Sequence, residues 1–285
     1  MPLRCILVPT GPGVQPERRL AAALGLAKRT HAHINALYVR PDLAIIAPPV
    51  LLVGAGGVPP QCNVSCEAKA LVAAGRQAFE RWCSGSRVEM QPNRRLDATF
   101  ASWTERGGEV ETLVALNGRV NDLIIVDNPT RGGPFEAAAF DAAVFSSGRP
   151  TLMLGERLPD NLLRHVVIAW NGSLEGARVV GQSISLLHEA ERISIVTIPS
   201  EADRQNGIAD LADYLHWHGV VVEKAGLVPD VAGSDGEKIL AACDQAAATL
   251  LVMGAYTHSR LRQIFLGGLT QHVLDKAELP VLLAH

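Results

Sequence analysis

The chain lacks the features that would assign it quickly to a functional class. Its 26 basic and 29 acidic side chains give a formal net charge of -3, so there is no basic excess to favour nucleic acid or an anionic membrane surface. It also lacks a G-x-x-x-x-G-K-[ST] phosphate loop, a G-x-G-x-x-G fingerprint and a G-x-S-x-G nucleophile elbow. We therefore predict that the protein is not an enzyme.

Cysteine is scarce and irregularly placed. The five thiols are Cys5, Cys62, Cys66, Cys83 and Cys243, and an odd, scattered set does not form a disulfide framework. The close pair at 62 and 66 lacks the two further ligands that a zinc site needs. We predict reduced thiols packed as small apolar residues, with a redox pair at 62 and 66 as the alternative.

Long hydrophobic runs are also missing. The most apolar stretch, LAIIAPPVLLVGAGGVPP at residues 43–60, is interrupted by prolines and glycines and is shorter than the roughly 20 residues that span a bilayer. We expect an apolar loop lying on the protein and no membrane span. The first residues show no apolar run behind a basic patch, so the expected compartment is the cytoplasm.

What the sequence does contain is an internal repeat. In each half a short apolar strand is followed by a turn, a helical stretch and a second strand, which is one βαβ unit. Two more strands close each half, and a proline opens the last one, where a strand tolerates it. The paired segments are 4–10 with 165–170, 33–39 with 192–198, 120–128 with 247–255, and 147–154 with 277–284.

This repeat predicts an α/β fold with two tandem doubly wound domains. Each should hold a mostly parallel five-stranded sheet with helices on both faces. The joint falls near the polar segment GERLPDNLLR, which places the domains at residues 1–158 and 162–285. In such sheets, ligands lie outside the carboxyl ends of the strands, where the strand order reverses.

The segment LLVMGAYTHSRLRQIFLGGLTQHVL, residues 250–274, suggests a phosphate site. Gly254 ends an apolar strand, and its missing side chain permits a sharp turn or a close approach. Gly267 and Gly268 open a helical stretch, whose first backbone N–H groups form a natural anion site. Arg260 and Arg262 lie between and carry charge suited to phosphate oxygens.

These glycines resemble the carboxyl signature of the universal stress protein family, which reads glycine, two residues, glycine, nine residues, then glycine and a hydroxyl residue. The register here is Gly254, Thr257, Gly267 and Gly268. The segment WNGSLEGAR, from residue 170, is similar to the first loop of the family, and ELPVLLAH is similar to its last strand. The resemblance covers nearly the whole chain as two tandem copies with the adenine-nucleotide-hydrolase-like fold.

The resemblance implies a stress-response protein that binds an adenine nucleotide such as ATP, together with Mg²⁺, in the second half. Any ATP hydrolysis would be slow and incidental. The first loop would contact adenine, and the glycine signature would surround ribose and phosphates. The implied binding residues are Asn171, Gly172, Ile198, Gly254, Thr257, His258, Arg260, Gly267 and Gly268.

Three of these positions depart from the family pattern. Asn171 stands for an aspartate and keeps an acceptor without the charge. Thr257 places a β-branched side chain where a glycine is usual, which costs about 1 to 3 kcal/mol if that backbone is strained. Gly268 loses a hydroxyl but keeps its N–H.

The first half departs further, so we predict a degenerate site there. Thr10 and Gly11 occupy the first-loop register, and Asp127 stands where the strand-ending glycine should be. A carboxylate there would repel a phosphate unless a cation intervened. The resemblance implies a structural role instead, because dimers of the family commonly pair their last strands: the first half would complete an internal pseudo-dimer, with RPTLMLG pairing with LPVLLAH.

Two other functions stay open. The first is a scaffold that binds no nucleotide and acts through dimerisation or partner proteins, including a homodimer. The second is binding of an apolar small molecule under the 43–60 loop. His216 and His218 invite a metal site, but residues two apart do not share a helix face, so we predict no metal.

Overall fold

In the computed structural model, eleven strands form one sheet that runs through both halves of the chain. The structure describes residues 2–40, 61–90, 97–198, 207–228, 232–255 and 268–285, without the side chains of residues 61–68 and 227. The strands are β1 Cys5–Thr10, β2 His33–Arg40, β3 Glu89–Met90, β4 Phe100–Gly107, β5 Leu123–Asp127, β6 Thr151–Leu154, β7 Val166–Ala169, β8 Ile193–Thr197, β9 Lys224–Leu227, β10 Leu250–Gly254 and β11 Val281–Ala284.

Eight helices flank the sheet in the described ranges. They are α1 Glu17–Thr30, α2 Gln61–Ser86, α3 Val110–Gly118, α4 Pro134–Ser146, α5 Leu174–Leu187, α6 Gly207–Trp217, α7 Asp235–Gln245 and α8 Gly268–Lys276. None of the helices in this described part combines the length and the hydropathy that crossing a bilayer requires.

The strand order is β3-β4-β2-β1-β5-β6-β11-β10-β7-β8-β9. The predicted α/β class with mostly parallel sheets is confirmed. The first half contributes six strands rather than five, because the two-residue β3 is added at its outer edge. All neighbouring strands are parallel except at the seam between the halves, where β6 and β11 pair antiparallel. The predicted pairing of the two last strands is therefore confirmed.

The repeat is visible in individual hydrogen bonds. Ile124 in β5 donates its N–H to the carbonyl of Pro150, and Leu251 in β10 donates to that of Pro280. Each proline precedes the last strand of its half and supplies an acceptor, so the missing N–H does not interrupt the ladder. The two halves therefore build their final strand pair in the same way.

Two hydrophobic cores lie on opposite faces of the sheet. One packs α1, α2, α5 and α6 against residues such as Ile6, Ile34 and Val166, and the other packs α3, α4, α7 and α8 against residues such as Leu7 and Val167. Each core contains residues from both halves. Because both faces are covered, the central strands are continuous apolar runs instead of alternating ones.

The seam also depends on a close backbone approach. A Cβ on Gly155, just after β6, would collide with the carbonyl of Glu278 in the other half. Two residues on, the N–H of Arg157 donates to that same carbonyl at 2.8 Å. The halves are thus joined by backbone contacts as well as by the shared sheet.

Three sequence predictions concern the cysteines and the apolar segment. Cys5, Cys83 and Cys243 are free thiols, as predicted, and burial raises the pKa of Cys83 to about 11 and that of Cys243 to about 12. The side chains of Cys62 and Cys66 lie outside the described residues, as does the apolar segment 43–60. Those two predictions stay predictions.

Candidate functional site

The second half places its candidate site between the carboxyl ends of β7 and β10. The chain passes from β7 to β8 and β9 on one side, whereas β10 and β11 lie on the other. The strand order therefore reverses between β7 and β10, where Ala169 is paired with Met253. Ligands of open α/β sheets lie outside such a reversal, and the loops that leave it begin at Trp170 and Ala255.

The loop after β7 turns directly into helix α5. Gly172 has φ +69°, a left-handed conformation that favours glycine. The side-chain Oδ1 of Asn171 accepts the N–H of Ser173 at 3.2 Å, and Ser173 Oγ accepts the N–H of Gly176 at 3.1 Å, which caps α5. Asn171 and Gly172 are exposed, so the amide group of Asn171 is accessible to a ligand.

Gly254 is required by helix packing. A Cβ at this position would lie 2.6 Å from the backbone nitrogen of Gly176 and 2.8 Å from the carbonyl carbon of Glu175. The first turn of α5 therefore lies almost directly on the end of β10. The predicted role of Gly254 in a close approach has a structural basis, but the group that approaches is this helix.

Trp170 and Ile198 lie on opposite faces of the sheet. Ile198 is half-buried against the core that contains α7 and α8, whereas Trp170 packs on the core that contains α5 and α6. The carbonyl of Trp170 accepts the hydroxyl of Thr197 at 2.7 Å. Its indole N–H is buried without a hydrogen-bond partner among the described residues, close to Gly207, whose Cβ would lie 3.4 Å away.

Helix α8 begins at Gly268, as the sequence predicts. Gly268 is exposed, and a Cβ built there would meet no described atom within 4 Å. Thr257, His258, Arg260 and Gly267 lie outside the described residues, and their roles stay predictions.

The equivalent place in the first half is filled by an ion pair. β5 ends at Asp127 as β10 ends at Gly254. Arg19 in α1 corresponds to Gly176 in α5, because each is the buried third residue of a 14-residue helix and each has buried residues three, four and seven positions on. Arg19 Nε lies 3.1 Å from Asp127 Oδ2. The two side chains thus occupy the place where two glycines meet in the second half.

Arg19 is the cation that neutralises the carboxylate of Asp127. Arg19 is 1% exposed, and its Nη1 donates to the carbonyl of Pro9 at 2.7 Å. Nη2 of Arg19 has no hydrogen-bond partner among the described residues. Burial lowers the pKa of Arg19 and raises that of Asp127, although the charge of each partner opposes the shift of the other. A buried pair of this kind is costly to desolvate.

Phe135 adds a second obstacle. Its ring lies over the first-half loop, so that a Cβ on Gly11 would come within 2.8 Å of the Phe135 ring. Thr10 is 2% exposed. Both side-chain contacts lie where the sequence predicts a degenerate site, and the loss of nucleotide binding there stays a prediction.

A metal site and an enclosed cavity are the two other kinds of site considered in the described ranges. No three His, Cys, Asp or Glu side chains converge there to hold a metal ion. A cavity of about 260 Å³ lies between α1 and the segment joining the halves, lined by residues such as Gly25, Leu26, Arg29, Leu158 and Asn161. It contains none of the predicted site residues, so we base the candidate site on the strand ends instead.

Comparison with known proteins finds a family likeness in the second half of the chain. Residues 163–285 match the model of the universal stress protein family. The second half of the chain is therefore similar to the domains of that family. The universal stress protein Slr1230 of Synechocystis is 33% identical over 122 residues, and this match covers 41% of the present chain and 41% of that relative.

Solved structures extend the likeness in fold to the whole chain. A universal stress protein from Archaeoglobus fulgidus aligns with a TM-score of 0.68 at 13% identity, covering 98% of this chain and 95% of that one. A putative universal stress protein from Pseudomonas aeruginosa aligns with a TM-score of 0.56 at 15% identity, covering 99% and 93%. At these identities the match shows the fold alone.

Sequence reasoning missed several residues of the candidate site and of the equivalent place in the first half. Gly176 and Trp170 were visible in the quoted loop, but nothing in the pattern marks the contact of Gly176 with β10. Arg19 had an indirect signal, since Asp127 at the glycine position raised the question of a neighbouring cation. Asn128, which contacts helix α8, had none.

Proposed function

We propose that the second half of this chain binds an adenine nucleotide such as ATP, accompanied by Mg²⁺, and that the first half binds none. The observation that carries the proposal is the contrast between the two equivalent places. In the second half, two glycines let α5 pack on β10 and leave the loop at Asn171 exposed. In the first half, Arg19 and Asp127 fill the same place.

The described residues supply the two ends of such a site. Asn171 has an exposed amide that can contact the base, and its oxygen is already oriented by Ser173. Gly268 opens α8, whose first N–H groups have no helical acceptor and favour an anion. Thr257, His258, Arg260 and Gly267 complete the proposed set, with Ile198 beside the base.

No catalytic role is proposed. The described residues that we propose to contact the nucleotide, Asn171, Gly172, Ile198, Gly254 and Gly268, carry no charge themselves. Holding a nucleotide to report on its level is a function that this arrangement supports. The cytoplasm stays the proposed compartment.

A charge placed at the start of α8 tests the proposal. We expect Gly268→Asp to abolish ATP binding in isothermal titration while leaving adenosine binding nearly unchanged, because a carboxylate would repel the phosphates. Folding should not suffer, since an acidic residue is favourable in the first turn of a helix. The matched control is Gly25→Asp in α1, where a Cβ also meets open space.

Mass spectrometry of the purified protein provides an independent measure, because a tightly held nucleotide would survive purification. If the wild-type protein carries no nucleotide and shows no heat with millimolar ATP and Mg²⁺, the nucleotide proposal fails. The scaffold function then replaces it, and it has one structural point in its favour. The two last strands already pair within the chain, so the molecule holds an internal pseudo-dimer, and a homodimer stays a prediction.

A further inference from the structure

The loop after β5 in the first half contacts the last helix of the second half. Its position after β5 corresponds to that of the segment between Gly254 and Gly267 after β10. Asn128 Nδ2 donates to the carbonyl of Leu274 at 2.6 Å, and Arg131 Nη2 donates to that of Asp275 at 3.2 Å. Both carbonyls belong to the last turn of α8.

The contacting side chains are themselves held in place. Asn128 is 3% exposed, and its Oδ1 accepts both the N–H and the hydroxyl of Thr130 at 2.9 Å. This fixes which end of the amide faces α8. Arg131 also pairs with Glu156 at 2.9 Å. The loop therefore holds two hydrogen-bond donors, Asn128 and Arg131, in fixed orientations toward α8.

These donors satisfy carbonyls that the helix cannot satisfy by itself. The last four C=O groups of an α-helix lack helical partners, and a cation at that end also complements the helix dipole. Helix α8 has nine residues, so its two ends are only about 13 Å apart at 1.5 Å per residue. Displacing the last turn of so short a helix moves its first turn, where Gly268 lies.

We propose that Asn128 and Arg131 are positioning residues through which the first half sets the anion-binding end of α8. The inference rests on the proposed function of the second half. The first half then contributes to nucleotide binding in the second half, because its loop after β5 holds α8, the helix proposed to face the phosphates. Buried Val273 and Leu274 anchor α8 on the core, and the loop fixes its position along its axis.

The test uses Asn128→Asp in the full-length chain, which keeps the side-chain shape but removes the donor. We expect ATP to bind about tenfold more weakly, the equivalent of 1.4 kcal/mol, while adenosine affinity changes less than about twofold. The matched control is Asn117→Asp, because Asn117 Nδ2 donates to the carbonyl of Leu113 within α3 at 2.7 Å and does not contact α8. Control and wild type should have the same ratio of ATP to adenosine affinity.

Hydrogen exchange without any nucleotide separates this inference from the proposed function. In Asn128→Asp, exchange should accelerate at residues 272–274, whose helical acceptors are the carbonyls of the first turn of α8. Exchange unchanged at these amides, or ATP and adenosine affinities that fall equally, overturns the positioning role. If wild-type protein binds no nucleotide, the proposed function fails, and exchange alone decides the positioning role. If the Asp variant does not fold, Arg131→Met, at a side chain 30% exposed, is measured in the same two ways.

Discussion

We expect removal of the Asp127 carboxylate to lower the free energy of unfolding more than most single substitutions do. In Asp127→Ala, the Arg19 guanidinium stays buried at 1% exposure with one remaining hydrogen bond, to Pro9. An uncompensated buried charge of this kind costs about 3 to 5 kcal/mol. Asp127 is itself 25% exposed, so water can partly replace it, and we expect a loss near the lower end, about 3 kcal/mol.

The double variant Arg19→Met, Asp127→Leu separates the ion pair from the space that it fills. Apolar side chains of similar volume avoid the desolvation cost, and such replacements are often neutral or stabilising by about 1 to 4 kcal/mol. Urea unfolding followed by fluorescence measures both variants against wild type. A single variant that loses less than about 1 kcal/mol, or a double variant less stable than the single one, would refute the role given to the buried charge.

Three further substitutions test the close approaches and the first loop. Gly254→Ala should cost about 1 to 3 kcal/mol and weaken nucleotide binding, because its Cβ would collide with backbone at the start of α5; Gly226→Ala, with nothing within 4 Å, is the control. Gly155→Ala should separate the halves at the carbonyl of Glu278, which limited proteolysis would detect as new cleavage near the seam; intact resistance would contradict it. Asn171→Asp should raise the melting temperature slightly, since a carboxylate near the start of α5 adds about 0.3 to 1 kcal/mol, and should strengthen ATP binding in titration, because it accepts the adenine amine more strongly.

The architecture was largely predictable from the sequence, because the signals that determine it are local and repeated. Continuous apolar runs predict strands buried on both faces, and the spacing of the helices between them requires parallel crossovers. The pairing of β6 with β11 was predicted from the family resemblance, in which last strands pair between copies. Asp127 at the glycine position correctly indicated that the two halves differ at their strand ends.

Contacts between residues far apart in the chain were decided by the tertiary structure. Arg19 and Asp127 are 108 positions apart, and only the packing of α1 on the sheet brings them together. The bond from Asn128 to Leu274 spans 146 positions and exists because the antiparallel seam places the loop of one half beside the last helix of the other. Periodicity reports which face of an element is buried, but not which distant side chain it meets. Local sequence patterns therefore specify two similar halves, whereas long-range packing places Arg19 against Asp127 and Asn128 against the last helix of the other half.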